Sequence, residues 1–412
     1  MLTAASTEAR ELDFLVDSIL GADTNVFRRS HDRVEDGFWE FSPRVGLRET
    51  RDNLQYDFNY RPTFQTFFDT DGIDGWNHFG AADFNWSPTQ AESISFGGEF
   101  VSSRFVRQFA DEDLSVPPDD PGRTIIRESG RQRIARSTAR IGYNRSLNAA
   151  TSARINFRFD DIDFNSGTNV DSRGYALSLG STRVLDERTQ VGFLVTGRFR
   201  DGRGIKSKGQ FSSKTLTGEL SLSFVRTLSP SMTLSIQGGP SFIKTEQNAP
   251  PLGDADPGTP QRDRTSNNNN LTYVANVSLE KAWRKASASL TYTRFQSGTG
   301  GTSSASNVDQ LTLKLDHHPS RRLTLTMNLS WIQRKTITSV GRTNSQDSLQ
   351  YSVSTSAIYK ISRQFSVIGR ASFRRIDYQT QVSVLPSRTT TRATNIFLGT
   401  LTLRYSFDPI IF

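Results

Sequence analysis

Arginine is the residue type whose positions in this sequence point most directly to chemistry. Arg44 and Arg48 are four residues apart, as are Arg136 and Arg140, so both members of each pair project to the same side of an extended chain. A guanidinium group binds carboxylates and phosphates through a planar fork of N–H donors. The candidates for a surface that binds acidic solutes are Arg44, Arg48, Arg61, Arg136, Arg140, Arg154, Arg158, Arg198, Arg200, Arg370, Arg374 and Arg404, together with Asp57 and Asp160.

Pairing between strands is an alternative role for the same arginines. Asp57, Asp83, Glu99, Asp160 and Glu219 lie in segments with the same alternation, and opposite charges on neighbouring strands stabilise a sheet. In that case the arginines and the acids neutralise one another and keep the surface polar without recognising a solute. The sequence leaves both roles open.

A metal site has weak support in the segment DTDGIDG at residues 69–75. Asp69, Asp71 and Asp74 have a spacing that a calcium loop uses, but the segment lacks the terminal glutamate of an EF-hand. We therefore interpret it as a polar hairpin loop, and we expect neither a metal nor another cofactor.

Catalytic chemistry has little support, because the chain contains 4 histidines and no cysteine. His317 and His318 fall in a predicted turn, while His31 and His78 lack a neighbouring Ser or Asp arrangement of the nucleophilic type. The missing cysteines also exclude thiol chemistry and thiolate metal sites. We expect that the protein is not an enzyme.

The segments that carry these residues alternate between apolar and polar positions. In residues 54–64 the apolar positions, which begin with Leu54 and Tyr56 and end with Phe64, alternate with Gln, Asp, Asn, Arg and Thr. Such a strand has an apolar surrounding on one face and water on the other. The mean hydropathy of −0.50, combined with 28 Phe, agrees with strands of this kind better than with a globular core.

The connections between the strands alternate in length. Short connections fall at residues 50–53, 87–90, 146–151, 185–188, 229–232, 281–285, 317–322 and 361–364, and long polar segments fall at 111–122, 201–210, 246–269, 297–306 and 385–392. Short turns at one end and long loops at the other are typical of outer-membrane barrels, in which the turns face the periplasm. No run of about 18 apolar residues would make a spanning helix, so a membrane has to be crossed by a closed sheet.

These patterns predict a transmembrane antiparallel β-barrel in the outer membrane of a Gram-negative bacterium. The chain from Gly37 to Phe407 supplies about seventeen strands, and residues 22–30 are the candidate for an eighteenth, since bacterial single-chain barrels have even strand numbers. Sixteen strands is the alternative. A soluble sandwich or propeller is less consistent, because one face of most strands is polar and no blade repeat is visible.

Residues 7–20 are predicted to form a short amphipathic helix. Leu12, Leu15, Val16 and Ile19 share one helical face, and Gly21 is positioned to end the helix. The prediction divides the chain into a helical segment at 1–21, which plugs the pore or lies in the periplasm, and a barrel at 22–412. This acidic segment is not a signal peptide, so we expect the sequence to be a mature form.

Aromatic residues near strand ends are candidates for contact with the membrane interfaces. They are Trp39, Trp86, Trp283, Trp331, Tyr359, Phe407 and Phe412. The expected partners are outer-membrane lipid and lipopolysaccharide, and the terminal aromatic residues are expected to be recognised by the barrel-assembly machinery. The net charge of +8 comes from dispersed basic residues without a basic helix, so we expect no nucleic acid partner.

Two segments of the sequence resemble a known family. The segments GADTNVF at 21–27 and SPRVGLRETRDNLQYDFNYRP at 42–62 are similar to the opening of the β-barrel porin 2 family, whose barrels are encoded with exopolysaccharide assembly systems. The resemblance covers about 80 residues, and the positions that carry it are Asn25, Val26, Pro43, Arg51, Tyr56 and Tyr60. It implies export or passage of a polysaccharide or oligosaccharide, including acidic ones, and an association with periplasmic polysaccharide-export proteins.

Three functions stay open at this point. A channel for saccharides agrees with the resemblance, since a lining of Ser, Thr, Asn and Gln suits hydroxyl groups and arginines suit uronic acids. A general diffusion porin with weak anion selectivity is the second, and a structural or adhesive barrel with a blocked lumen is the third. The sequence does not choose among them.

Overall fold

The computed structural model describes residues 9–27, 33–103, 133–164, 171–203, 212–249, 264–297, 306–337, 345–382 and 388–411. Within these ranges the regular secondary structure consists of β-strands. None of the described residues form a helix that is long and apolar enough to cross a membrane.

The strands follow one another along the chain without a crossover. They are β1 (Ala9–Asp23), β2 (Asp36–Arg51), β3 (Leu54–Phe67), β4 (Gly75–Thr89), β5 (Glu92–Ser103), β6 (Ile134–Ser146), β7 (Thr151–Phe164), β8 (Asp171–Asp186), β9 (Thr189–Arg203), β10 (Ser212–Ser229), β11 (Met232–Ala249), β12 (Arg264–Trp283), β13 (Ala286–Ser297), β14 (Ser306–His317), β15 (Leu323–Thr336), β16 (Ser345–Lys360), β17 (Phe365–Val382), β18 (Arg388–Ser406) and β19 (Ile410–Ile411).

The sheet closes on itself. Each strand from β1 to β18 pairs antiparallel with the next, and β1 also pairs with β18, from Leu15 opposite Ser406 to Asp23 opposite Leu398. After β18 the chain passes Pro409, which has no N–H to donate, and the two residues of β19 continue beside β1. The structure is therefore an 18-stranded barrel, which confirms eighteen strands and rejects sixteen.

The helix predicted at residues 7–20 is wrong, because residues 9–23 form strand β1. The segment carries two overlapping patterns: Leu12, Val16 and Ile19 fit a helical period, whereas Glu11, Asp13 and Asp17 alternate as a strand requires. A strand here hydrogen-bonds with both β2 and β18, while a helix would leave the edges of those strands unpaired. Closure of the sheet therefore overrides the local helical pattern.

Two further expectations about this region change with it. Residues 22–30 do not supply the first strand, since 24–27 form a turn after β1 and 28–32 lie outside the described residues. The division into a helical segment at 1–21 and a barrel at 22–412 is also wrong, because residues 9–21 are part of the barrel wall. Because residues 9–21 lie in the barrel wall, the predicted role of the segment as a plug or a periplasmic element is also wrong.

The eight short connections lie where the sequence predicted them. They join β2 to β3, β4 to β5 and each following even-numbered strand to its odd-numbered successor, ending with β16 to β17. They therefore all lie at one end of the barrel, here called the turn end. The long polar segments connect strands at the other end, the loop end, and most of their residues lie outside the described ranges.

The outer face of the barrel is apolar. Leu216, Leu220 and Leu222 on β10 are 50%, 46% and 67% exposed, and Phe193 and Val195 on β9 are exposed beside them. Large apolar side chains that form a continuous exposed surface meet a surrounding other than water. On a closed sheet, this surrounding is the hydrocarbon of a membrane.

Charged side chains return to the outer face at both ends of this apolar band. Toward the loop end Arg173 pairs with Asp161 at 3.1 Å, and toward the turn end Glu49 accepts a hydrogen bond from Arg10 at 2.7 Å. On β8 the outward-facing residues Arg173 and Arg183 are about 33 Å apart along the strand. Because strands in such barrels tilt by about 40° from the barrel axis, this length corresponds to a height of about 25 Å along the axis. This height matches the apolar band of outer-membrane barrels, about 25 Å.

The predicted interface aromatics share the outer face. Trp86, Trp283, Tyr359 and Phe407 are 40%, 51%, 46% and 49% exposed near the turn end, while Trp39 is 36% exposed toward the loop end. The register also places Trp331 on the outer face, opposite Tyr351. Phe412 lies outside the described residues. Contact of these side chains with lipid head groups stays a prediction.

Closure by β1 predicts a specific cross-link between Leu20 and Leu401, which are opposite each other on β1 and β18. The Cα atoms of antiparallel partners are about 4.5–5.5 Å apart, within the range that a disulfide spans. The double variant Leu20→Cys/Leu401→Cys should therefore form a disulfide on oxidation, and the chain has no other cysteine to interfere. Mass spectrometry of the oxidised, folded protein in detergent measures the cross-link.

The control for this prediction is Leu20→Cys/Thr402→Cys. Thr402 is buried on the interior face, whereas Leu20 is exposed on the outer face, so the two thiols would project to opposite sides of the sheet. Equal cross-linking of both pairs, or none in the first, would show that β1 does not close the barrel in this register.

Candidate functional site

The register of the strands places every arginine candidate on one face of the sheet, opposite the exposed apolar side chains. The pairs Arg48 with Asp57, Arg140 with Arg158, and Arg404 with Asp17 are direct cross-strand partners. The same register, followed from strand to strand, brings to this interior face Arg44, Arg48, Arg61, Arg136, Arg140, Arg154, Arg158, Arg198, Arg200, Arg370, Arg374, Arg404, Asp57 and Asp160.

Cross-strand pairing, the alternative role, is confirmed for several of these arginines. Arg48 donates two hydrogen bonds to Asp57 at 2.8 and 2.9 Å, and Arg198 donates to both oxygens of Glu219 at 2.9 Å. Arg140 lies 3.8 Å from Asp83. The wall is therefore largely neutralised by its own acids, which weakens the case for a strongly anion-binding surface.

A cluster of buried charges surrounds Asp160 on β7. Arg158 donates to Asp160 at 2.8 Å through two nitrogens, Thr138 donates at 2.9 Å, and the Arg136 guanidinium lies 3.8 Å away. Arg158 and Asp160 are 4% and 3% exposed. This cluster fixes the packing of the neighbouring strands β6 and β7 on the interior face.

A further ion pair closes the barrel and was missed in the sequence. Arg404 on β18 donates to both oxygens of Asp17 on β1, at 2.7 and 2.8 Å. The helical pattern of residues 7–20 hides this pair, because it places Asp17 on a helix and not on a strand beside β18. The signal was present in the alternation of Asp13, Asp17 and Asp23 on one side of a strand.

The interior charges are sorted around the circumference. The acidic sector, on β1–β5, carries Asp13, Asp17, Asp23, Asp36, Glu40, Asp57, Asp83 and Glu99 besides three arginines. The basic sector, on β6–β9, carries Arg136, Arg140, Arg154, Arg158, Arg198 and Arg200 around Asp160. The two sectors share an edge between β5 and β6, and an electric field therefore crosses the interior there.

Another part of the circumference is dominated by hydroxyl and amide groups. On the interior face of β12–β16, which we name the hydroxyl sector, the side chains include Thr272, Asn276, Ser278, Ser287, Ser289, Thr291, Thr293, Gln310, Thr312, Thr326, Asn328, Ser330, Gln350, Ser352, Ser354 and Ser356. Several pair across strands, as Ser278 does with Thr291 at 3.2 Å. Each such group both donates and accepts hydrogen bonds.

Packing of the interior differs between the two ends of the barrel. Toward the loop end Ile162 and Val308 are buried, at 1% and 0% exposure. From the middle of the wall toward the turn end, the side chains of Arg140, Asp83 and Arg48 are 46%, 63% and 50% exposed. The interior is thus closely packed near the loops and open to solvent near the turns.

The weak calcium candidate is not assembled. Asp74 accepts hydrogen bonds from the Phe67 N–H at 3.0 Å and the Thr66 hydroxyl at 2.8 Å, while the Asp69 N–H donates to Asp36. Among the described residues no group of three or more His, Cys, Asp or Glu side chains could hold a metal ion. The carboxylates of Asp74 and Asp36 instead hold the hairpin loop, in which Gly72 has a positive φ of 76°.

The histidines in the described ranges contact no carboxylate in the hydrogen bonds they make. His78 Nδ1 lies 2.9 Å from the Tyr60 hydroxyl, and His317 and His318 contact a backbone carbonyl and a threonine hydroxyl. His31 lies outside the described residues. The absence of enzymatic activity stays a prediction.

The sequence matches no protein-family model and no functionally curated protein. Similar solved structures include the ferric-catecholate import receptor Fiu of Escherichia coli K12 in its closed form, at 9% identity, over 95% of this chain and 81% of the receptor, with a TM-score of 0.48. A BenF-like porin from Pseudomonas fluorescens Pf-5 is 10% identical over 98% and 99% of the two chains, with a TM-score of 0.46. OccK2 (OpdF) of Pseudomonas aeruginosa, in complex with glucuronate, is 12% identical over 97% and 98%, with a TM-score of 0.45.

The interior face has a buried ion pair, Arg158 with Asp160, and an exposed one, Arg48 with Asp57. Neutralising the acid of each pair should lower the free energy of unfolding by different amounts. Asp160→Asn leaves the buried guanidinium of Arg158 without its counter-charge and should lower the free energy of unfolding by about 3 kcal/mol. Asp57→Asn weakens a pair whose side chains are 50% and 36% exposed and should cost under about 1 kcal/mol. Denaturant unfolding of the protein refolded in lipid vesicles measures both. Equal costs would contradict the difference in burial.

Proposed function

We propose that this protein is a channel in the outer membrane of a Gram-negative bacterium and that saccharides pass through its interior. The apolar band on the outer face and the short turns gathered at one end support this location. Outer-membrane barrels direct their short turns to the periplasm, so the turn end is the periplasmic end in this proposal. The chain then crosses the membrane eighteen times, once with each strand from β1 to β18.

The observation that carries the saccharide assignment is the hydroxyl sector. Ser, Thr, Asn and Gln side chains both donate and accept hydrogen bonds, as sugar hydroxyls do, so they can exchange partners with a passing saccharide at little cost. A channel for small ions alone needs no such extended hydroxyl wall. The lining from Ser287 and Thr293 on β13 to Ser352 and Ser356 on β16 is therefore best suited to polyhydroxylated solutes.

Pairing of the arginines favours cargo that is neutral or weakly acidic. Asp57, Asp83, Asp160 and Glu219 offset charge that would otherwise concentrate anions in the pore. Arg370 and Arg374 on β17 add positive charge beside the hydroxyl sector. We therefore infer a mild preference for anions, with uronic acid units among the saccharides that the channel accepts.

The resemblance to the β-barrel porin 2 family supports a role in exopolysaccharide export. In that role the cargo arrives from the periplasm, where polysaccharide-export proteins would deliver it to the open turn end. Lipopolysaccharide surrounds the apolar band, and the barrel-assembly machinery inserts the protein through its last strands. These partners are proposals drawn from the resemblance and from the barrel architecture.

Measurement of ion selectivity tests whether the protein conducts and whether its interior favours anions over cations. The protein in a planar bilayer should conduct steadily and should favour anions mildly in a salt gradient. Arg374→Gln removes one interior positive charge, so the anion-to-cation permeability ratio should fall. Arg375→Gln is the matched control, because Arg375 lies on the outer face, where it pairs with Asp377 at 3.1 Å. A lumen that does not conduct would leave the structural or adhesive barrel as the function.

Saccharide passage is tested separately in vesicles and in cells. Vesicles that contain the protein should swell in an isosmotic solution of a neutral trisaccharide, because the sugar enters through the channel and draws water with it. Deletion of the gene should reduce extracellular polymer. Conductance without trisaccharide entry, and with normal polymer in the deletion strain, would favour a general diffusion porin.

A further inference from the structure

A recess in the interior wall between β3 and β7 has the size of a small-molecule site. Its volume is about 640 Å³, within the range of about 300–1,000 Å³ for ligand pockets. Asp57, Asp83 and Asn85 line it from the acidic sector, and Arg140 and Asn156 line it from the basic sector. It lies toward the turn end, where Asp83 and Arg140 are exposed, so a solute in the open part of the lumen can reach it.

Two glycines form the floor of this recess. A Cβ atom on Gly97 would lie 2.7 Å from Oδ1 of Asp83 and 3.4 Å from Nε of Arg140. A Cβ atom on Gly142 would overlap the Ser95 hydroxyl and would lie 2.9 Å from Oδ1 of Asn156. Because the floor has no side chain at these positions, the polar groups lie close against the wall and space remains above them.

The polar groups of the recess keep hydrogen-bonding capacity for a ligand. Both hydrogen bonds from Arg48 end on Oδ2 of Asp57, which leaves Oδ1 as an acceptor. Asp83 and Arg140 are 3.8 Å apart, beyond hydrogen-bond distance, and are 63% and 46% exposed. The recess therefore offers carboxylate acceptors on one side and a guanidinium donor on the other.

The charges of the recess balance. Asp57 is paired with Arg48 behind the recess, and Asp83 lies beside Arg140. Arg158 also lines the recess and is paired with Asp160, so the carboxylates and the guanidiniums sum to about zero. A carboxylate ligand would meet Asp57 and Asp83, and a cationic ligand would meet Arg140 and Arg158. A neutral polyhydroxylated molecule avoids both repulsions, since its hydroxyls donate to the carboxylates and accept from the guanidinium.

We propose that this recess is a binding subsite for a neutral saccharide unit, which enters from the turn end. The assignment rests on the proposed channel function and specifies where on its wall the cargo pauses. Asp57 and Asp83 accept hydrogen bonds from sugar hydroxyls, Arg140 and Asn156 donate to them, and Gly97 and Gly142 provide the depth.

The test is current blockade in a planar bilayer with maltohexaose, a neutral linear hexasaccharide, added to either side. Blockade is expressed as a fraction of each variant's own open current, so that altered conductance does not enter the comparison. In the wild type, maltohexaose should block the current, with stronger binding from one side of the bilayer. Asp57→Ala/Asp83→Ala should weaken the association constant about tenfold, since two charged acceptors are lost.

A second variant tests the shape of the recess independently of its charge. Gly97→Val places a branched side chain against Asp83 and Arg140, so the association constant should again fall about tenfold. Gly218→Val is the matched control, because a Cβ atom at Gly218, on the outer face, meets nothing within 4 Å. Trigalacturonate, an acidic probe of similar chemistry, should bind less tightly than maltohexaose at this subsite.

The outcomes separate the subsite from the channel. A wild type that does not conduct overturns the proposed channel. A wild type that conducts and is blocked by maltohexaose, with unchanged association constants in both recess variants, overturns the subsite and leaves the channel intact. Tighter blockade by trigalacturonate that is lost with Arg140→Gln would overturn the inferred neutrality of the ligand.

Discussion

Hydrogen bonding of the backbone is the constraint on which this structure depends. Within hydrocarbon, each N–H and C=O group has to find a partner inside the protein, and a sheet satisfies this only when it has no free edge. Strand β1 removes the last two edges at once, because it pairs with β2 along its whole length and with β18 over nine positions. The polar interior can exist in a membrane only because this closure holds.

Most of the fold was predictable because alternation and turn spacing are local properties. Residues 54–64 and the eight short connections reveal strands and their order without knowledge of any long-range contact. The first strand was not predictable in the same way. Residues 9–23 fit a helical period as well as an alternating one, and only pairing with β18, at the far end of the chain, decides between the two.

The sequence predicts which residues face the interior. It does not predict which residue each of them contacts or how exposed its side chain is to solvent. Alternation places Arg48, Arg140 and Arg158 on one face, yet it does not tell which acid each arginine meets or how exposed the pair is. These properties depend on register between strands, which turn geometry sets and composition does not. The glycines at 97 and 142 carry no signal in the sequence alone, since their role depends on side chains from other strands.

The contact between Asp17 and Arg404 joins residues that are 387 positions apart. Contacts at such a separation form late, because the entropy lost in bringing distant segments together is recovered only after both are in place. The N-terminal strand therefore has to wait, unpaired on one side, until almost the entire polypeptide has been synthesised and delivered. Until β18 is in place, the free edge of β1 is open to pairing with other chains, and the sheet becomes complete only when β1 meets β18.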